Sequence, residues 1–155
     1  MTDVVSVERV IPAKPEEIWA LIADPSRHQE IDGSGAVRDA QQGPGQELRL
    51  GTTFGMNMKV GAPYSMKNTV IEYDENKVLA WQTKVPVSLL EKLAGGRIWK
   101  YVLEAVDGGT KVTESRDVSQ EGFLTKGLVR KQNGEAARNM AKTLERIEEV
   151  LTKQA

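Results

Sequence analysis

The chain has 155 residues, a length typical of one domain, and its 21 basic side chains nearly balance its 22 acidic ones. This balance argues against a nucleic-acid partner or a polybasic membrane patch, because both need clustered positive charge. With no cysteine and one histidine, the chain has no disulfide, no thiolate metal site and few ligands for any metal.

The N-terminus, MTDVVSVERVI, has neither the basic nor the apolar segment of a secretory signal. No apolar run approaches the ~20 residues of a membrane span. The glycine-rich turn at 32–35 does not match a phosphate-binding loop, because no Lys-Ser/Thr follows it. We therefore expect one cytoplasmic domain over residues 1–155, without stable membrane insertion, cofactor or metal.

The first part of the chain is predicted to be a strand followed by two short helices. β-Branched residues over Val4–Ile11 favour a strand, which Pro12 ends. Pro15 suits the first position of a helix over 15–23. Asp24 is a suitable cap for a second short helix over about 26–30.

The middle of the chain alternates apolar and polar residues and is rich in turn signals. Short turns between successive strands are typical of an antiparallel meander. Together with the first strand, this pattern predicts about seven strands. The further strands are predicted over 36–41, 52–60, 64–70, 78–85, 98–106 and 110–118.

Residues 125–153 are predicted to form one long helix, or two helices with a break near Gly134. The apolar stripe of this segment is large at its C-terminal end and small at its N-terminal end. Such a helix needs a large surface to pack on. We therefore predict an α+β fold in which a curved sheet wraps the helix and leaves a cavity at its small-residue end. The stripe contains Ala137, Met140, Leu144, Ile147 and Leu151.

Several segments resemble the START-like, polyketide cyclase/dehydrase (SRPBCC) superfamily. They are VERVIPAKPEEIWALIADP at 7–25, Ala80-Trp81, Trp99-x-Tyr101-x-Leu103, the Gly109-Thr110-x-Val112-Thr113 hairpin and the long final helix. The resemblance implies a helix-grip fold, with a seven-stranded antiparallel sheet around the C-terminal helix and an internal cavity. Most members of that superfamily bind lipids, sterols, polyketides or other apolar small molecules, and a minority are enzymes. They share no catalytic motif, so the resemblance assigns no catalytic residue.

An apolar small-molecule ligand is the partner that this fold predicts. Inward-facing methionines would give its cavity an adaptable wall. The alternative is an ordinary packed core that is rich in methionine. The predicted lining is Phe54, Met56, Met58, Met66, Asn68, Trp81, Trp99, Tyr101, Asn133, Ala137 and Met140.

Glu114 and Arg116 are the candidate polar residues of the site. If Val112 faces the core, both side chains face it as well. Burying them is costly unless they are paired or hydrated, which predicts a polar end of the cavity that recognises a ligand or supports acid–base chemistry. The alternatives are an exposed position at the end of the sheet, or a bulge that reverses their facing.

His28 lies in a short charged segment and is expected to be a solvated surface residue. The apolar clusters formed by Leu89, Leu90 and Leu93, and by Phe123 and Leu124, each have two interpretations: a lid over the cavity, or a small satellite core.

Two functions from different classes follow. One is a carrier or sequestering protein, monomeric or homodimeric, for an apolar small molecule. The other is a polyketide cyclase or dehydratase that works by enforced folding of its substrate, with Glu114 and Arg116 as candidate catalytic residues. A protein-interaction role through the outer face of the sheet is a weaker third possibility.

Overall fold

The computed structural model describes residues 3–33, 37–40, 48–60, 62–85 and 93–153, with the backbone alone at 37–40, 56–60 and 62–65. The strands are β1 Val4–Ile11, β2 Val37–Ala40, β3 Thr53–Val60, β4 Ala62–Asp74, β5 Val78–Lys84, β6 Gly95–Val106 and β7 Gly109–Asp117. The α-helices are α1 Pro15–Ile22, α2 His28–Ile31, α3 Phe123–Lys131 and α4 Asn133–Lys153, and a 3-10 turn covers Pro25–Arg27. The predicted α+β class is confirmed.

The seven strands form one antiparallel sheet in the order β1-β7-β6-β5-β4-β3-β2. Neighbours from β2 to β7 are consecutive in the chain, as short turns require. The exception is β1, which pairs with β7 along its full length, from Val4 opposite Asp117 to Ile11 opposite Thr110. Because β1 and β2 lie at opposite edges, the segment with α1 and α2 crosses from one edge to the other.

Several predicted boundaries differ from the structure. The final helical segment is two helices, and their break lies at Gln132, two residues before the predicted position at Gly134. Strand β4 is longer than predicted, since it includes Ala62 and Pro63 and continues to Asp74. Asp24 caps the helical turn that follows it, accepting a hydrogen bond from the Ser26 amide at 3.0 Å, as predicted.

One hydrophobic core joins the inner face of the sheet to the helices. α1 contributes Ile18, Leu21 and Ile22, whose spacing places them on one face of that helix. The C-terminal half of α4 contributes Leu144 and Ile147, which are fully buried. The core residues of the sheet include Ile11, Phe54, Val70, Leu79, Tyr101, Leu103 and Val112.

Polar contacts fix α4 against its neighbours. The Arg9 guanidinium on β1 forms an ion pair with Glu148 on α4 at 3.1 Å. The Gly33 amide, just after α2, donates to the Thr143 hydroxyl at 2.9 Å. None of the helices in the described ranges combines the length and apolar composition that a membrane crossing needs.

Candidate ligand-binding site

Two rows of side chains cross strands β7, β6 and β5 on the inner face of the sheet. In the first row Arg116 lies opposite Trp99, which lies opposite Trp81. In the second row Glu114 lies opposite Tyr101. Because directly paired residues share a face and strands are about 4.8 Å apart, the first row spans roughly 10 Å.

The prediction that Glu114 and Arg116 face inward agrees with the structure. Burial alternates strictly along β7, and Glu114 and Arg116 are only 5% and 4% exposed. Val112 on the same face is fully buried in the core. The alternatives of an exposed strand end or a bulge do not apply to these two residues.

The predicted lining residues fall into two groups by burial. Phe54, Asn68, Tyr101 and Met140 are buried, whereas Met66, Trp81, Trp99, Asn133 and Ala137 keep part of their surface exposed. Met56 and Met58 lie on β3, opposite Met66 and Tyr64, but their side chains lie outside the described part of the structure. The role of this set in ligand binding remains a prediction.

Arg116 links the sheet to the junction between α3 and α4. Its Nη2 donates to the Val129 carbonyl on α3 and to Asn133 Oδ1 at the start of α4, both at 2.8 Å. Nε is buried without a hydrogen-bond partner. Burial lowers the pKa of Arg116, because a charged guanidinium is poorly solvated there.

Glu114 is a buried carboxyl group next to a tyrosine. Burial raises the pKa of Glu114 to about 8, although hydrogen bonding to the Tyr101 hydroxyl opposes the shift. Burial and the nearby Glu114 also raise the pKa of Tyr101 well above its ordinary value, so its hydroxyl stays protonated. Glu114 Oε1 has no hydrogen-bond partner. At neutral pH the Glu114 side chain is therefore largely an uncharged acid with hydrogen-bonding capacity to spare.

An ion pair between Arg97 and Glu121 lies near Arg116 and was missed by sequence reasoning. Arg97 Nε and Nη2 donate to the two carboxylate oxygens of Glu121 at 3.2 and 3.1 Å. Glu121 also accepts the Gly95 amide at 3.2 Å. The pair joins the segment before α3 to the start of β6, and no sequence spacing relates two residues so far apart.

The hydrogen-bonding side chains of the predicted lining divide between two roles. Asn133 bonds to Arg116, and Tyr101 lies directly opposite Glu114 on the neighbouring strand, so both belong to the polar end. Asn68 instead accepts the Thr83 hydroxyl at 2.6 Å and donates to the Phe54 carbonyl at 3.4 Å. Its amide therefore satisfies groups within the sheet.

The expectation that His28 is a solvated surface residue is wrong. The ring is 6% exposed, stacks on Trp81 with centroids 5.3 Å apart, and meets Phe54 edge to face. Its Nε2–H donates a hydrogen bond to the Ile22 carbonyl at 2.8 Å. The charged neighbours of His28 suggested a surface helix. The signal that sequence reasoning overlooked is the spacing of three to the buried Ile31.

We expect protonation of His28 to destabilise the fold. Burial lowers its pKa below the ordinary 6.5, so its contribution is complete above that value and is lost as the pH falls below it. The loss for one proton approaches about 1.4 kcal/mol per pH unit. Urea unfolding at about pH 7.5 and pH 5.5 should show a larger drop for the natural chain than for His28→Gln. Equal drops would contradict this assignment.

The two smaller apolar clusters have different outcomes. Phe123 and Leu124 are 73% and 64% exposed, so the satellite-core interpretation is wrong for them. Leu93 is half-buried, and its carbonyl accepts the Leu124 amide at 2.9 Å. Leu89 and Leu90 lie outside the described residues. In the predicted glycine-rich turn, Gly33 packs directly against α4.

Two curated relatives from Mycobacterium tuberculosis match the chain in sequence. The uncharacterized protein Rv0088 of strain H37Rv is 34% identical over 125 residues, which are 79% of this chain. The uncharacterized protein MT0096 of strain CDC 1551 matches with the same identity and extent. The chain spans about half the length of these relatives, 50% in each case.

Solved structures share the fold at low sequence identity. Protein MLL2253 from Mesorhizobium loti superposes with a TM-score of 0.71 at 18% identity, covering 98% of both chains. Ms6760 from Mycobacterium smegmatis gives 0.72 at 17% identity, covering 99% of this chain and 94% of that one. The Polyketide_cyc-like protein Cgl2372 from Corynebacterium glutamicum gives 0.64 at 18%, with the same coverage.

Residues 2–152 match the model of one protein family, described as polyketide cyclase/dehydrase and lipid transport. The match includes every described strand and nearly all of α4. It agrees with the helix-grip arrangement of the sheet and helices, and with the resemblance read from the residues. The chain therefore belongs to the polyketide cyclase/dehydrase and lipid transport family.

Proposed function

We propose that the protein binds an apolar or amphipathic small molecule between the inner face of the sheet and the N-terminal half of α4. The observation that carries the proposal is that side chains on the inner face of the sheet are fully buried at one end and partly exposed at the other. The core closes the region around Leu79 and Val112, whereas Trp81 and Trp99 on the same face keep part of their surface exposed. Ala137, one turn after Asn133 on α4, is also partly exposed.

The side chains in this region suit a flat or flexible apolar ligand. Trp81 is held by ring contacts with His28, Phe54 and Tyr101, with centroids between 5.3 and 5.9 Å apart. These contacts fix one rigid aromatic wall, and aromatic surfaces bury large apolar areas. The partly exposed Met66 adds an adaptable side chain nearby. The lipid and polyketide classes in the family description support the same ligand chemistry.

Fluorescence titration with the neutral probe N-phenyl-1-naphthylamine tests this function, with native mass spectrometry of the purified protein as a second readout. We expect saturable binding of one probe per chain and retention of a co-purified small molecule. Failure to bind the probe at micromolar concentration, together with a mass spectrum of the bare chain alone, would contradict the proposal. We also propose that the protein is cytoplasmic and has no nucleic-acid partner. We propose that it is a monomer or a homodimer, and size-exclusion chromatography with light scattering would measure this oligomeric state.

A second candidate function is acid–base catalysis, of the cyclase or dehydratase type, in the same place. The observation that favours it is the Glu114 carboxyl, whose pKa burial raises to about 8 beside the Tyr101 hydroxyl. A group with a pKa near the working pH can both take up and release a proton.

If this activity exists, Glu114→Gln should lower turnover of a poly-β-ketone substrate by roughly 10²–10⁴-fold. The matched control is Glu135→Gln at an exposed position of α4, which should leave turnover unchanged. If the natural chain turns the substrate over and Glu114→Gln does so equally well, Glu114 has no role in catalysis.

A further inference from the structure

Arg116 is a buried cation without a described counter-ion. Only 4% of the residue is exposed. Both of its hydrogen bonds go to uncharged oxygens, the Val129 carbonyl and the Asn133 amide. Among the described residues no carboxylate forms an ion pair with it. A buried charge in that condition is costly, and the cost falls when an anion arrives.

The charged neighbours of Arg116 do not neutralise it. Glu121 is already paired with Arg97 in two hydrogen bonds, so this couple adds no net charge. Of the two, Arg97 has the larger effect on the pKa of Arg116, and it lowers that pKa by repulsion between like charges. Glu114, two residues away on β7, is mostly protonated at neutral pH because burial raises its pKa. One uncompensated positive charge is therefore left at this end of the site.

An apolar surface adjoins that charge. Trp99 lies directly opposite Arg116 on β6, and Trp81 lies opposite Trp99 on β5. Both indoles are partly exposed on the inner face. The row therefore offers a cation at one end, with an aromatic surface running away from it for roughly 10 Å.

We infer that the ligand carries a single carboxylate, which accepts hydrogen bonds from Arg116 while its apolar part lies along Trp99 and Trp81. This inference rests on the proposed binding function and names the class of its ligand. A carboxylate suits a guanidinium in both geometry and charge, and the unpartnered Nε offers a donor for it. A phosphate monoester would bring nearly two negative charges to one surplus positive charge.

Displacement of N-phenyl-1-naphthylamine by dodecanoate and by 1-dodecanol tests the inference. A purely apolar pocket prefers the alcohol, because the ionised acid loses more hydration. We expect the natural chain to bind dodecanoate about tenfold more tightly than the alcohol. Arg116→Met should abolish this preference, and Arg116→Lys should keep part of it. The matched control, Arg138→Met at an exposed position of α4, should leave the preference intact.

A pH titration gives a second readout that does not depend on the stability of an Arg116 variant. Tyr101 on β6 and Asp32 after α2 are the neighbouring groups that shift the pKa of Glu114. On β1, the residue opposite Glu114 is the uncharged Val7. The buried residues of α4 are also uncharged. Raising the pH from about 7 to about 9 ionises Glu114 and brings a negative charge toward the bound carboxylate. Dodecanoate affinity should fall severalfold in the natural chain and stay level in Glu114→Gln.

The possible outcomes distinguish a failure of this inference from a failure of the proposed binding function. If the probe binds but dodecanoate and dodecanol displace it equally, with no effect of Arg116→Met, the carboxylate assignment is overturned and binding stands. Tighter binding of dodecyl phosphate than of dodecanoate would also overturn it. If neither the probe nor either amphiphile binds, the proposed function itself fails.

Discussion

Ala137→Leu is expected to weaken binding of N-phenyl-1-naphthylamine by about tenfold or more while leaving the fold intact. Ala137 lies one turn after Asn133, which bonds to Arg116, and it keeps part of its surface exposed. A leucine there would fill space that the ligand needs. Probe titration and thermal unfolding of the same sample measure both effects.

Ala141→Leu is the matched control, because it is the same substitution one turn further along α4 at an exposed position. It should change neither affinity nor stability. If Ala137→Leu leaves the affinity for the probe unchanged, that result counts against the proposed function. If the leucine destabilises the free protein by about 1–3 kcal/mol, as overpacking of a filled core does, no space for a ligand exists there.

Gly33→Ala is expected to destabilise the fold by about 3 kcal/mol, because it forces apart two packed segments. A Cβ at this position would lie 2.4 Å from the Asn139 carbonyl oxygen and 2.6 Å from the Thr143 amide nitrogen. Both atoms belong to the backbone of α4, which cannot move aside as a flexible side chain would. The hydrogen bond from the Gly33 amide to Thr143 would be lost with the contact. Urea unfolding measures the change.

The control for Gly33 is the same substitution at Gly127, in the middle of α3. Apart from its chain neighbours and the backbone of its own helix, no atom of the described residues lies within 4 Å of a Cβ built there, and the backbone is helical. Gly127→Ala should therefore raise the free energy of unfolding by up to about 1 kcal/mol, since alanine favours helices. If both substitutions change the free energy of unfolding in the same direction, the close approach of Gly33 to α4 is not a determinant of stability.

The sequence was most informative where a regular pattern met a clear end signal. Strand β7 follows the Asp107-Gly108 turn, and if Val112 faces the core, the strand period alone places Glu114 on the same face; the alternating burial along β7 agrees. Pro15 and Asp24 likewise marked the helix start and the next cap. Boundaries were less certain where apolar and polar residues mix, and the helix break at Gln132 carries no glycine or proline.

His28 shows where local pattern fails. Its charged neighbours predict a surface helix, but the ring stacks on Trp81, which lies more than fifty residues further along the chain. A helix of four residues has too few positions for periodicity to identify its buried face. The Arg97–Glu121 pair has the same origin, since only folding brings the segment before α3 next to the start of β6.

The amino-acid sequence by itself determined the α+β class, the meander, the terminal helical cover and the family resemblance. Each of these depends on short-range periodicity, turn chemistry or the order of elements along one chain. Only the tertiary structure decided the partners of the buried charges: Arg116 with Val129 and Asn133, and Glu114 with Tyr101. The physical reason is that burial and hydrogen bonding depend on what lies across space, and a pattern of neighbours along the chain does not contain that information.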